Sequence, residues 1–259
     1  MCYHVSITGT IDDLQEATKA KMVNPESYTE LYHMNGFDHE TFYCVPQENP
    51  DEIIPMNWGF VEMPAIYPKF QDDNWRIEKV DDIWAYWREH RGYTLNSQQE
   101  NVFDYYKTRE AAYYRRCIIP VSGFYESQGI KVGKKEVKIP HLIGSPKDQY
   151  LFLAGIYNRF DEETYTAKIL TTEARGLMRE IHNSKLRQPA VIHPDDIEDY
   201  LNDGFGPSEL REIMEVYADR LELKAHTVSR DVNKRVKSNH PDILKEVHHP
   251  EMDADLFGK

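Results

Sequence analysis

Cys2 follows the initiator Met1 directly, and its small side chain suits ordinary removal of that methionine. The mature chain would then begin with an α-amine and a thiol on one residue. In unstructured peptides the amine titrates at about 7.7–8.0 and the thiol at about 8.5, so both are partly available near neutrality. Together they can trap an aldehyde: the amine forms a Schiff base, the thiol adds to it, and a thiazolidine closes. Position alone leaves a second reading open, in which Cys2 is a small residue opening the strand Cys2–Thr8.

Such chemistry needs proton carriers and orienting groups, and the sequence offers several. Glu126 sits in Phe124-Tyr125-Glu126-Ser127, where alternation alone makes it an exposed strand residue. His182 stands where a helix over Glu173–Ile181 ends, a place that suits a histidine through the helix dipole. Asn96 precedes Ser97 and reads as a loop or cap residue. Taken singly, each has a bland explanation.

The elements that must position these residues are legible from periodicity. Cys2–Thr8 alternates as a strand, and Asp12–Met22 reads as a helix with acids first and lysines last. Tyr28–Val45 reads as loop and short strand, and Ile53–Val61 as a strand. Val80, Ile83, Trp84 and Trp87 fall on one face of a helix over Val80–His90. Glu100–Arg116 reads as helix in two pieces. The chain then becomes β-rich, with strands expected at Cys117–Pro120, Phe124–Ser127, Val137–Ile143, Tyr150–Tyr157 and Thr166–Thr171. A strand Ala190–Ile192, helices His193–Asn202 and Ser208–Val216, and a strand near Leu221–Val228 follow, with a loosely held tail expected after about Lys245.

With 259 residues, 40% hydrophobic, the chain can bury a substantial core. No linker, repeat or low-complexity stretch interrupts it, so a single α+β domain spanning residues 1–259 is the simplest organisation. No apolar run approaches a membrane span, and Asp12, Asp13 and Glu16 come too early for a signal peptide. Three cysteines without metal-type spacing point to a reduced, cytoplasmic protein with no metal site. The net charge of −13 argues against a broadly basic nucleic-acid binder. It is unevenly spread: residues 1–60 and 195–222 each carry ten acids and two bases, whereas Lys107–Arg116 and Lys224–Lys237 are basic. Those two stretches could line a positive groove or be solvated faces.

One ordered set of motifs goes further. Met1-Cys2, Trp58-Gly59-Phe60, Asn96 with Glu100, Arg116 through Pro120, Gly123-Phe124-Tyr125-Glu126, Phe152–Ile156, Thr171–Ala174, Ile181-His182 through Arg187-Gln188-Pro189, and His226 through Ser229 span nearly the whole chain. In this order they resemble the SOS response-associated peptidase (SRAP) family, whose members crosslink to abasic sites in single-stranded DNA. The resemblance implies one α+β domain with a curved, barrel-like, mainly antiparallel sheet flanked by helices. It implies that Cys2 supplies amine and thiol, and that Glu126 holds the amine and shuttles its proton. His182 would act as acid and base on the sugar aldehyde, and Asn96 would orient terminus and lesion. It further implies strand contacts from Arg187, Thr171, a stacking Tyr67, and the position of Gln98. A monomer needing no cofactor, acting on single-stranded DNA with abasic sites and nucleoid-associated after damage, completes the expectation.

The sequence also departs from the family pattern. A phosphate-binding arginine is replaced by Gln98, and the usual Gly-Arg after the cysteine is Tyr3-His4. Three functions therefore compete: a crosslinker with lyase-like chemistry, a cysteine-type (auto)peptidase with Cys2 as thiol nucleophile, and a non-catalytic single-strand binder.

Overall fold

A computed structural model describes residues 2–62, 83–159, 163–234 and 238–256. Tyr67, the start of the expected Val80–His90 helix, and Arg235 to Lys237 lie outside the described residues. The chain enters on β1 (His4–Ile7), and α1 (Ile11–Thr18) follows. Thr10 and Asp13 close a reciprocal capping box on α1, accepting and giving hydrogen bonds at 3.1 and 2.7 Å. This helix stops four residues short of the expected Met22. Lys19 turns left-handed at φ 58°, and the sheet takes Lys21–Met22 as β2 through the bond from Lys21 N to Asp51 O. Tyr28–Val45 yields two strands rather than one, β3 (Leu31–Asn35) and β4 (Thr41–Pro46), before β5 (Glu52–Trp58).

The helix α2 (Ile83–His90) and the short β6 (Asn96–Gln98) come next. Of the expected helix Glu100–Arg116, only α3 (Arg109–Tyr114) forms. The first piece is lost because Gln99 N bonds Thr171 O at 2.9 Å, and Val102 and Phe103 are buried from a turn rather than a helix face. Then come β7 (Arg116–Val121), β8 (Gly123–Val132), β9 (Lys135–Gly144), β10 (Leu151–Arg159) and β11 (Tyr165–Glu173). The β8–β9 hairpin is longer than alternation suggested, closing through a two-residue turn in which Gly133 has φ +63°.

Strands β5, β4, β7, β10 and β11 pair in that order, and a parallel pairing of β11 with β5 (Thr166 with Asn57, Ala167 with Trp58) closes them into a five-stranded barrel. Closure removes the sheet edges and explains why β7, β10 and β11 are buried almost throughout rather than alternating. Gly155 is required where β10 passes β7 and β11, since a Cβ there would lie 2.8 Å from Cys117 Sγ. Arg116, 1% exposed, ties the barrel to its surroundings by donating to the carbonyls of Ala112, Tyr113, Tyr200 and Asn202.

A second sheet runs β3-β1-β8-β9 and ends on β14 (Lys224–Thr227), which pairs with β9. Its β8 is contacted by α4 (Leu177–Ile181), whereas β12 (Arg187–Pro189) pairs with β11 and β13 (Val191–Ile192) with β10 on the barrel; α5 (Ile197–Leu201) lies against β7 and α6 (Pro207–Arg220) against β13. One face of this sheet joins the main core through Val5, Ile7 and Phe124; another cluster gathers Tyr125, Val228, Val232 and Ile243. The segment after Lys245, expected to be loosely held, is bonded down instead. Thr227 and Val247 exchange two hydrogen bonds (2.9 and 2.7 Å), His249 bonds Val228 O, and α7 (Pro250–Leu256) pairs Glu251 with Arg230 at 2.8 Å. No described helix is long and apolar enough to cross a membrane.

Candidate active site

The β1–β8 pairing, Val5 with Phe124 and Ser6 with Gly123, brings the beginning of the chain alongside the strand that carries Glu126. His182 arrives from the other direction, at the end of α4. Asn183, which sequence reading did not single out, clamps this turn to β8: it accepts from Gly129 N at 3.0 Å and donates to Gly129 O at 2.8 Å. Gly129 permits that approach, because a Cβ there would meet Glu136 Oε1 at 2.8 Å and Asn183 Oδ1 at 3.3 Å. Leu186 completes the turn at φ +52°, an unfavourable conformation for leucine that returns the chain into β12. Only a tertiary bond of this kind could reveal Asn183; in the sequence it is one more polar residue after a helix.

His182 Nδ1 lies 2.6 Å from Arg187 O and must donate to it, so the neutral ring presents its Nε2 lone pair. That Nε2 faces Glu126 Oε2 at 3.8 Å, too long for a direct hydrogen bond but within reach once substrate draws the groups together. Burial lowers the pKa of His182, with the bond to Arg187 O opposing it. Burial raises the Glu126 pKa from 4.5 to about 7, while the positive charge of the amino terminus, then Lys138, pull it down. A carboxyl that titrates at neutrality beside a neutral imidazole can both take and return a proton. Cys2 is fully buried, with its thiol 3.6 Å from His4 O. Burial, and then the Glu126 charge, push the thiol pKa far up.

Two clefts meet at Tyr3. One, of about 240 Å³, is lined by Tyr3, His4, Glu126, Lys138, His182 and Lys185 among others. The second, of about 620 Å³, is lined by Tyr3, Phe37, His39, Arg88, Tyr93 and Asn96 among others. Asn96 reaches it because β6 runs parallel to β11, setting Asn96 beside Ile169. Both amide atoms of Asn96 are buried without a hydrogen-bond partner among the described residues. An unsatisfied buried amide is costly, and one facing a cleft is suited to a ligand that supplies both a donor and an acceptor.

The sequence model of the SOS response associated peptidase (SRAP) family matches residues 1–235. The chain belongs to the SRAP family. It is 25% identical over 260 residues to the abasic site processing protein YoqW of Bacillus subtilis, covering 95% of this chain and 99% of that one. It is 28% identical to YobE of the same organism, also named an abasic site processing protein, over 90% of this chain and 96% of that one. A crystal structure of a protein from Bacteroides thetaiotaomicron superposes with a TM-score of 0.74 at 24% identity, covering 95% of this chain and all of the other. One from Bordetella bronchiseptica gives 0.64 at 18%, covering 88% and 100%. These two bear out the fold, a helix-flanked barrel with additional strands.

In this SRAP domain the remaining residues singled out from sequence are differently placed. Arg187 is already engaged: its two terminal nitrogens form a fork with Glu100 at 2.7 and 2.9 Å, and Nη2 also donates to Thr171 O at 2.6 Å. Thr171 is fully buried and its hydroxyl donates to Ser97 O. Gln98 is exposed at the edge these two support, opposite Thr171 in register. Most charges of the two basic stretches are likewise committed: Lys107 to Glu62, Arg115 to Glu110, Arg116 to carbonyls, Arg230 to Glu251 and Lys234 to Asp231. The exposed cations beside the Glu126–His182 cleft are instead Lys138 and Lys185, which lie in neither stretch.

Proposed function

We propose that this chain senses abasic sites in single-stranded DNA and traps the sugar aldehyde as a thiazolidine on Cys2, once Met1 has been removed. The observation that carries the reading is the neutral His182 imidazole facing a Glu126 carboxyl that titrates near 7, in a cleft lined by Tyr3 and His4, the residues that follow Cys2. Glu126, ionised, takes a proton from the Cys2 amine as it attacks the aldehyde. His182 takes the second amine proton on its Nε2 lone pair, and both protons pass to the oxygen, which leaves as water. Sulfur then adds to the imine carbon, and the thiol hydrogen passes to nitrogen. Asn96, whose amide has no hydrogen-bond partner among the described residues, orients the lesion from the adjoining cleft.

The peptidase alternative fits less well. A thiol nucleophile needs a depressed pKa or an adjacent base, whereas burial and Glu126 keep this one protonated, and His182 is turned to Glu126. A binding-only role leaves the perturbed pair without a purpose. The test is a denaturing gel of the mature protein with an oligonucleotide bearing one abasic site, beside an intact strand. The expected result is a heat-stable shifted band on the abasic strand alone; its absence with confirmed free Cys2 rejects the reading.

For the strand itself, Lys138 and Lys185 supply phosphate contacts in place of the arginine missing at Gln98. Replacing both lysines by alanine should flatten the log–log salt dependence of single-strand binding by up to about 1.4. Gln98→Arg should steepen it by about 0.7, one contact's worth. Titrations at four salt concentrations decide, and unchanged slopes in both proteins would place the strand elsewhere.

A further inference from the structure

His4 occupies the position after Tyr3 where the family pattern has arginine, and its ring lines the Glu126–His182 cleft. Its Nδ1 is 2.9 Å from His33 Nε2, and His33 Nδ1 is 2.5 Å from Ser238 Oγ. His33 and Ser238 are both buried. The array is held from every side. Tyr125 packs edge-on against His33 at 5.1 Å, and Asn239 Oδ1 accepts from Tyr32 N and His33 N at 2.8 and 3.4 Å.

Three groups in a row can order their protons in two ways. If His4 donates to His33, then His33 donates to Ser238, and the buried serine hydroxyl hydrogen has no acceptor among the described residues. If Ser238 donates to His33 Nδ1, then His33 Nε2–H donates to His4 Nδ1, and the hydrogens of both buried groups, Ser238 and His33, find acceptors. The second order is favoured because a buried donor without an acceptor is destabilising. It leaves the His4 hydrogen on Nε2, the ring nitrogen not turned to His33.

We propose that His4 is a further catalytic residue of this site, a neutral imidazole whose Nε2–H hydrogen-bonds the abasic sugar's aldehyde oxygen while the Cys2 amine attacks, with His33 and Ser238 as positioning residues. The proposal rests on the crosslinking reading above. As the nitrogen lone pair forms the N–C bond, the carbonyl π pair moves onto oxygen, where the His4 N–H stabilises the growing negative charge. That oxygen collects both amine hydrogens through Glu126 and His182 and departs as water, leaving C=N; His4 keeps its own proton throughout. Burial lowers the His4 pKa to about 4, and burial with the His4 ring beside it lowers that of His33 to about 3. Both rings are therefore uncharged at neutral pH, as a neutral imidazole electrophile requires.

The experiment measures single-turnover imine formation, trapped by borohydride, alongside binding of an intact single strand and a melting curve. His4→Ala should slow imine formation by about 10²-fold, the loss typical of one such donor, with intact-strand affinity unchanged. His4→Gln keeps an N–H and should recover part of the rate. Ser238→Ala, which lets the row reverse, should fall between His4→Ala and the parent. A parental rate in His4→Ala overturns the proposal. So does weaker intact-strand binding that accounts for the lost rate, since His4 would then be a phosphate contact. If His4→Ala does not fold, a parental rate in Ser238→Ala overturns it. A parent protein that never forms an imine defeats the crosslinking reading itself, before any variant is compared, and this inference with it.

Discussion

Cys2→Ser should stop the reaction at the imine. The variant keeps the α-amine but exchanges sulfur for a far less nucleophilic hydroxyl. Borohydride should fix it to abasic DNA as a stable adduct, whereas without reductant the imine hydrolyses and the heat-stable band of the parent should vanish entirely. Serine is nearly isosteric in the fully buried Cys2 site, so the fold should survive with a modest loss of stability. Protein that retains Met1 is the companion case: its Cys2 nitrogen is locked in a peptide bond, and neither imine nor thiazolidine can form through it. Intact-mass measurement identifies each species, and four lanes, with and without reductant on abasic and intact strands, separate the outcomes. Crosslinking by protein shown to retain Met1 quantitatively would falsify the mechanism. A peptidase would lose peptide cleavage in Cys2→Ser and would hold no DNA in any lane.

Glu126→Gln and His182→Ala should each slow adduct formation by roughly 10²–10⁴-fold, the range for a full general acid–base group. For Glu126 the same substitution should raise stability. Its folded pKa of about 7 lies above the ordinary 4.5, so the folded protein binds more protons between those values. The associated stability is complete below pH 4.5 and is lost as pH rises through 7, a difference of roughly 3 kcal/mol. Glutamine does not ionise, so the advantage of Glu126→Gln over the parent should grow from pH 4.5 to pH 8, read by denaturant unfolding at both ends. The rate behaves oppositely. With ionised Glu126 as the base, parental adduct formation should rise with pH through about 7, and that limb should be missing in Glu126→Gln. Activity losses that merely follow lost stability would return both residues to a structural role.

The contrast between Glu126 and His33 shows how far the sequence reached. Motif order along the chain was enough to name the family and the barrel-like α+β fold, and to single out Cys2, Asn96, Glu126 and His182 as candidates, because those residues carry distinctive neighbours. Periodicity placed β7 to β11 correctly in kind, the barrel strands β7 and β10 being nearly continuous apolar runs. It misjudged α1 and the Glu100–Arg116 stretch, where hydrogen bonds to Asp51 and Thr171 from distant strands outweighed local helix preference. Nothing local could show that Arg187 is spent on Glu100, that Lys138 and Lys185 flank the cleft, or that Asn183 pins His182 beside β8. His4 was visible only as a departure from arginine; its partners stand 29 and 234 residues further on. Residue types and their order along the chain determined which chemistry is available. Proton positions, charge pairing and pKa values depend on burial and on contacts between remote segments, and only the tertiary structure decided those.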